Sequence, residues 1–325
     1  MLAGATALAI VSSAAQAEPV KVAIASRSMN YAPYLVPLTK GYYKEEGFEV
    51  ELIDAGGGVA TPGQISGDID FNTSASAALS AILKGASLKI IYFPWDRIPY
   101  QLYVTDPAIK TLADLKGKQV GIQTRGDTFE VAMRMALMQE GLDPNSVIYG
   151  ALGVGAARRA ALAARSMPAA IISPVDANAM RAAGEMKDSR MIYDLGEKVQ
   201  LPLTGTAVRT ADIEKNRDRV KRFMRAVTKG MAYTAAYRDA TIDIVMSYNK
   251  GADRESIAAT YEETLAGRTE YGAITEKLQR QEADIRAELV KVPKDKIPPL
   301  DKIYDFTIVR DASQELQREG WKPIR

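Results

Sequence analysis

Residues 40 to 85 constrain the fold more than any other stretch of the chain. They read KGYYKEEGFEVELIDAGGGVATPGQISGDIDFNTSASAALSAILKG. Phe48-Glu49-Val50-Glu51-Leu52-Ile53 alternates and then turns continuously apolar, the pattern of a strand entering a buried sheet. It runs into Gly56-Gly57-Gly58, where a backbone can approach a ligand or another element without Cβ interference. After a spacer of helix length, Ile69-Asp70-Phe71 forms a second strand and releases Asn72-Thr73-Ser74-Ala75-Ser76. These polar residues open a helix with Leu79, Ile82 and Leu83 on its apolar face and Gly85 as its stop. Two strands of a parallel sheet thus release small, donor-rich segments at one carboxyl edge, where open α/β sheets bind ligands. Either segment alone also fits an ordinary turn.

The rest of the chain repeats this pattern. Val20-Lys21-Val22-Ala23-Ile24-Ala25 is a first strand leading to Asn30-Tyr31, then a helix interrupted by Pro33 and Pro37 and ended by Gly41. Leu88 to Phe93 is a strand running out into Pro94-Trp95-Asp96-Arg97-Ile98-Pro99-Tyr100. Trp95 is one of two tryptophans, suited either to plugging a core or to walling a ligand. Gln101 to Val104 is a further strand. Thr111 and Asp114 sit at capping-box spacing in a short helix, and Gln119 to Gln123 starts a second unit. Its loop Thr124-Arg125-Gly126-Asp127-Thr128 precedes a helix with Phe129, Met133, Ala136 and Met138 on its apolar side. Later, Gly153-Val154-Gly155 opens an alanine-rich helix. The strand Ala169-Ala170-Ile171-Ile172 releases Ser173-Pro174-Val175-Asp176 at another helix start. Leu203-Thr204-Gly205-Thr206-Ala207-Val208 is a strand that returns between domains. A long amphipathic helix from Ala211 to Tyr237 follows, with Val220, Met224, Val227 and Met231 on one stripe and Asp212 as its N-cap. This alternation argues an α/β protein of two lobes, each a mostly parallel sheet flanked by helices, joined by a two-strand hinge. The expected division is residues 18–105 plus 205–325 for one lobe and 106–204 for the other.

Composition excludes several chemistries. The 325 residues contain no histidine and no cysteine. That removes Ser-His-Asp and Cys-His catalysis and thiolate or imidazole metal sites, and leaves only an all-oxygen metal site. A net charge of +2 without a basic stripe argues against a nucleic-acid partner. Gly153-Val154-Gly155 has Arg158 where a dinucleotide loop needs its third glycine. Glu45-Glu46 and Glu262-Glu263 are adjacent pairs that diverge on a helix, as on a solvated face. Residues 1 to 17 form a short apolar run ending in Ala15-Gln16-Ala17, read as the remnant of a cleavable leader. Secretion of a soluble chain without cysteine suits a bacterial periplasm.

Helix starts carry unsatisfied N–H donors and partial positive charge. Ser74, Thr128 and Ser173 add hydroxyls there. Arg125 adds a planar cation suited to a carboxylate, sulfonate or phosphate, or else pairs with Asp127 on the surface. Tyr31, Trp95 and Tyr100 are placed to stack a flat ligand.

The run Lys40 to Val50, then Gly56 to Gly58, Gly67-Asp68-Ile69-Asp70-Phe71, Lys84-Gly85-Ala86, Ile109 to Gly117 and Gly141-Leu142-Asp143-Pro144 resembles the periplasmic substrate-binding proteins of ABC importers. The resemblance is to the branch that binds sulfonate, taurine, nitrate and thiamine pyrimidine. It covers roughly residues 20 to 210 and departs at Ser166-Met167-Pro168-Ala169, where the family has a Gly-x-x-Asp-Ala turn. It implies a monomer that captures a small organic anion or a (hetero)aromatic solute between two lobes and delivers it to an inner-membrane permease, with no cofactor and no turnover. The family's ligand groups map onto Asn30-Tyr31, Ser74-Ala75, Trp95 to Tyr100, Arg125 to Thr128 and Ser173 to Asp176. Gly57, Pro174 and Thr204 complete the candidate lining. Two alternatives share the fold: a thiamine-pyrimidine synthase, which relies on histidine and a cysteine-rich motif, and a sensory module that presents its ligand to a receptor.

Overall fold

The computed structural model describes residues 17–153, 155–249 and 254–324. The leader-like segment up to Gln16 and Val154 of the glycine motif lie outside them. Among the described residues ten strands form two sheets of five. The first holds β1 (Glu18–Ile24), β2 (Phe48–Asp54), β3 (Phe71–Asn72), β4 (Leu88–Tyr92) and β10 (Thr206–Arg209) in the order β2-β1-β3-β10-β4. The second holds β5 (Gln101–Val104), β6 (Gln119–Ile122), β7 (Ile148–Ala151), β8 (Ala169–Ile172) and β9 (Arg190–Asp194) in the order β7-β6-β8-β5-β9.

The two orders are the same topology. In each sheet four strands run in one direction, and the fourth position is taken by a strand of the opposite direction that has just crossed from the other sheet: β10 in the first, β5 in the second. The strand β5, placed by sequence with the first unit, therefore belongs to the second sheet, between β8 and β9. The crossing segments meet where Trp95 and Leu203 form an antiparallel bridge, Leu203 N–H donating to Trp95 O at 3.1 Å. This is the two-strand hinge. Tyr304 adds a parallel bridge to Ile90 at the outer edge of the first sheet.

The first lobe's core is built on aromatic contacts. The long helix Thr210–Ala236 lays Phe223 flat on Phe71 of β3, ring centroids 3.6 Å apart, and against Tyr43 at 5.5 Å. Asp212 does not cap this helix. The N-cap is Arg209, and Asp212 pairs with it at 2.8 Å from within the first turn. Met138, expected on the apolar side of the helix Thr128–Gln139, is 51% exposed, while Met135 takes the buried position. Asp114 accepts from the Lys110 and Thr111 amides and the Thr111 hydroxyl, but only a three-residue 3-10 turn, Ala113–Leu115, follows.

Glu46 is not on a solvated face. It is buried and bonded by Arg225, and it pairs with Lys229 at 2.7 Å. That network ties the turn before β2 to the long helix. The helix Ala32–Lys40 continues through Pro37, whose missing N–H leaves the Pro33 carbonyl without an intrahelical donor. The long helix crosses there at Gly230, where a Cβ would stand 2.5 Å from Pro33 O and 2.6 Å from the Pro37 ring. Gly230→Ala is therefore expected to force the helices apart and to lower stability by about 1–3 kcal/mol, read as a lower urea midpoint at unchanged m-value.

Candidate functional site: the cleft between the lobes

Tyr31, beyond β1, lies within electrostatic reach of Tyr100, which leads into the second sheet, so groups that follow the first sheet's strands meet groups of the second lobe beside the hinge. On the first lobe's side, the Asn30 side-chain amide donates to Thr204 Oγ1 at 2.7 Å, and Asn30 O accepts the Trp95 indole N–H at 2.8 Å. Trp95 is 1% exposed and belongs to the second lobe's apolar core, so it locks the loop after β1 to the hinge as a core plug. Tyr31 lies beside them. Burial pushes its hydroxyl up to about 12, against the pull of the Ala25 backbone and of the Thr204 and Thr73 hydroxyls.

Thr204 has φ +58, a left-handed conformation that β-branched residues rarely adopt, and Gly205 follows it. Strain of this kind is of order 1–3 kcal/mol and clusters at binding sites. Here it turns the returning segment so that Thr204 Oγ1 meets Asn30 and Gly205 bridges to Ser74. Ser74 is the N-cap of the helix Ala75–Leu83, but its hydroxyl caps no amide of that helix. Ala75 is buried in the core. Gly57 has a packing reason to be glycine: a Cβ there would strike Ala77 Cβ, where two helix starts converge.

On the second lobe's side, Tyr100 stacks on Phe129, centroids 4.2 Å apart and planes 8° from parallel. Behind that pair lies Arg158. Its guanidinium is over the Phe129 ring at 4.4 Å and donates from Nε to Ile171 O at 3.1 Å and from Nη1 to Gly153 O at 2.6 Å. Asp176 Oδ2 is 3.7 Å from its Nη2. Asp176 is held by Ser173, the N-cap of the helix Pro174–Ala182: the Ser173 hydroxyl donates to Asp176 Oδ2 at 2.7 Å and accepts from the Asp176 amide. The buried Pro174 occupies that helix's first position. Asp176 also packs against Gly155, where any Cβ would collide with the carboxylate.

Asp127 caps the helix Thr128–Gln139, accepting the Glu130 amide at 2.9 Å and the Thr124 amide at 2.7 Å. Its carboxyl is nevertheless raised, because burial outweighs those amides. Burial also raises the Tyr100 hydroxyl. Tyr31, Asp127 and Asp176 add to that rise and Arg158 opposes it, so all five groups share one electrostatic neighbourhood.

The structure thus brings together Asn30, Tyr31, Trp95, Tyr100, Asp127, Asp176 and Thr204, with Ser74 and Ser173 at the adjoining helix starts. It does not bring Arg125 with them. Arg125 is 61% exposed, 4.0 Å from Glu130, and lines an outer groove with Lys84, Arg134 and Glu288. Thr128 opens its helix as expected. The buried cation beside Asp176 is Arg158, with Arg159 Nε 4.0 Å from the same carboxylate; with Phe129 and Thr73, Arg158 was missed as a site residue. An available signal was the pair Arg158-Arg159 interrupting an otherwise alanine-rich helix. Among the described residues no cluster of carboxylates is placed to hold a metal ion.

Two matched α/β lobes joined by two crossing segments, with aromatic and hydrogen-bonding residues between them, define the periplasmic-binding-protein fold. The chain belongs to the NMT1/THI5-like family, whose model matches residues 28–241. The riboflavin-binding protein RibY of Chloroflexus aurantiacus is 28% identical over 235 residues, which is 68% of this chain and 63% of that relative's length. Among solved structures, the aliphatic sulphonate-binding protein SsuA of Escherichia coli is similar at TM-score 0.73 and 20% identity, over 89% of this chain and 92% of its own. The nitrate-binding protein NrtA of Synechocystis is similar at TM-score 0.65 and 15% identity, over 94% and 90%. Both share the fold.

Proposed function

We propose that the chain is the extracytoplasmic solute-binding protein of an ABC importer. In this reading it captures a planar heteroaromatic solute between its lobes and delivers it to a membrane permease. Among the described residues no helix is long and apolar enough to cross a membrane, so an importer would need a separate permease chain. The observation that carries the choice of solute is the state of Arg158. The guanidinium is already committed to two backbone carbonyls and faces Asp176. With Asp127 in the same neighbourhood and Arg159 Nε 4.0 Å from the other Asp176 oxygen, the two carboxylates face two arginines, and the more buried of these, Arg158, is already engaged. An oxyanion entering there would compete with Asp176 for both arginines, whereas a neutral or cationic ring bearing N–H donors finds acceptors and aromatic walls. The name of the relative RibY supports a ring-shaped solute. The names of the sulphonate and nitrate binders mark the alternative, a small organic anion.

The reading is of binding without turnover. Ser173 with Asp176, and Asp127 with its two amides, are helix caps rather than a nucleophile with its base. A thermal-shift series across pyrimidines, flavins, aromatic carboxylates, alkanesulfonates and nitrate, with mass spectrometry of any co-purified solute, tests it. Stabilisation by a heteroaromatic compound, lost in Tyr100→Ala, is expected. Stabilisation by sulfonate or nitrate alone would refute the choice of solute, and chemical conversion of the bound compound would refute the binding role. Recovery of a receptor in place of a permease in a pull-down would favour the sensory alternative.

A further inference from the structure

A second cavity lies away from the cleft, on the outer side of the first lobe. It measures about 400 Å3, within the range of small-molecule sites. It sits between Tyr92 at the end of β4, Thr228 and Met231 of the long helix, Leu316 of the helix Thr307–Arg318, and Trp321. None of the cleft residues described above lines it.

Two features distinguish this cavity from a packing defect. The Tyr92 hydroxyl and Thr228 Oγ1 are both buried, and neither has a hydrogen-bond partner. Native proteins rarely leave such groups unpaired, because each forgoes its hydrogen bonds to water. Tyr92 itself is 2% exposed and firmly positioned. Its ring meets Tyr34 edge-on at 6.3 Å and lies where any Cβ on Gly272, at φ +72, would collide. Phe93 N–H donates to Gly272 O at 2.9 Å, and the Thr269 hydroxyl donates to Phe93 O at 2.6 Å, so the rim loop is fastened to the strand below it. Burial raises the Tyr92 hydroxyl far above its ordinary value, which keeps it a neutral donor. The remaining wall includes an indole ring, a thioether, Leu316 and Val309, a mainly apolar lining that suits a flat body, with Ser313 and Gln317 as further polar groups. Arg268 and Glu270 both line the cavity, one of each charge, so the site selects for neither ion.

We propose that this cavity is a second small-molecule site, taking an uncharged hydroxylated aromatic whose ring packs on Trp321, Met231 and Leu316 and whose hydroxyl pairs with Tyr92 and Thr228. The proposal is independent of what the cleft binds.

The chain has two tryptophans, and they report on the two places separately: Trp95 at the hinge and Trp321 here. Protein labelled with 5-fluorotryptophan gives two fluorine resonances, assigned with Trp95→Phe and Trp321→Phe. Titration with 2-naphthol should move the Trp321 resonance saturably and leave Trp95 in place. Thr228→Val keeps the shape and removes one hydroxyl, and it should weaken that response about tenfold. Ala232→Phe, which fills the cavity, should abolish it; if that variant does not fold, Thr228→Val decides. A Trp321 resonance that stays fixed up to the solubility limit overturns the proposal. So does one that moves only in step with Trp95, or one whose response is unchanged in Thr228→Val.

Discussion

Arg158→Met should lower the stability of the protein by about 3 kcal/mol and abolish the thermal shift produced by the cleft ligand. The side chain is 2% exposed, and its burial pulls the guanidinium's pKa down while Asp176 opposes the shift. The cost of burying it is met by the Ile171 and Gly153 carbonyls, the Asp176 carboxylate and the face of Phe129. Methionine keeps the length and the contact with the ring but leaves two carbonyls without their donor and the Asp176 carboxylate with only the Ser173 hydroxyl and the more distant Arg159. Removing one partner of a buried charged pair costs several kcal/mol, because the other charge stays behind. Arg158→Met with Asp176→Asn should therefore recover part of the loss. Lysine should not, since a point charge cannot serve two carbonyls and a ring face at once. Urea denaturation measures the first effect and the ligand-induced shift in melting temperature the second. A change below about 1 kcal/mol would show that Asp176 is supported by solvent, and the electrostatic case for a donor-bearing heterocycle would lose its basis.

The misplacement of that cation shows where sequence pattern stops being informative. Strands such as Phe48–Asp54 and Ala169–Ile172 were readable because alternation or unbroken apolar character is a local property. The membership of Gln101–Val104 was not, because its partners, Ile172 and Asp194 opposite Gln101, lie far along the chain. Arg125 stands in the loop that pattern reasoning favours. Asp127, however, turns both carboxylate oxygens to backbone amides, and Glu130 draws Arg125 outward. Arg158 hides within a helix, and its role depends on which face of that helix meets Phe129, a tertiary fact. Phe129 was placed correctly on an apolar side; that this side also meets Tyr100 across the hinge loop could not be seen locally. The positions of Asn30, Tyr31, Ser74 and Trp95 were legible locally, since all four follow strands of one sheet at its carboxyl edge.

The helix Glu276–Leu289 supplies the second large effect, because it straps the lobes together. Leu278, Ala283 and Ala287 pack into the first core, while Ile285 belongs to the second. Within it, fully buried Glu282 accepts from Ser76 at 3.1 Å, at the start of a first-lobe helix, and lies 3.5 Å from Arg286. Arg286 donates to Gly126 O at 2.9 Å, beside a helix start of the second lobe. One oxygen of Glu282 and one nitrogen of Arg286 are buried without a partner. Glu282→Ala should thus cost about 3–5 kcal/mol by stranding Arg286, whereas Glu282→Leu with Arg286→Met should fall within about 1 kcal/mol of the native protein. The double variant still lacks the bond to Gly126, so small-angle scattering should find it more open than the parent when no ligand is present. Burial raises the Glu282 carboxyl above its ordinary 4.5, ahead of the opposing pull of Arg286 and Ser76. A raised carboxyl binds more protons folded than unfolded, so its contribution to stability declines as pH climbs from 4.5 through the native value, and the penalty is complete above that. Glu282→Gln should flatten this part of the pH profile. A double variant as unstable as Glu282→Ala would mean that the strap is held by the ion pair itself, and the packing of Leu278 and Ile285 would then be secondary.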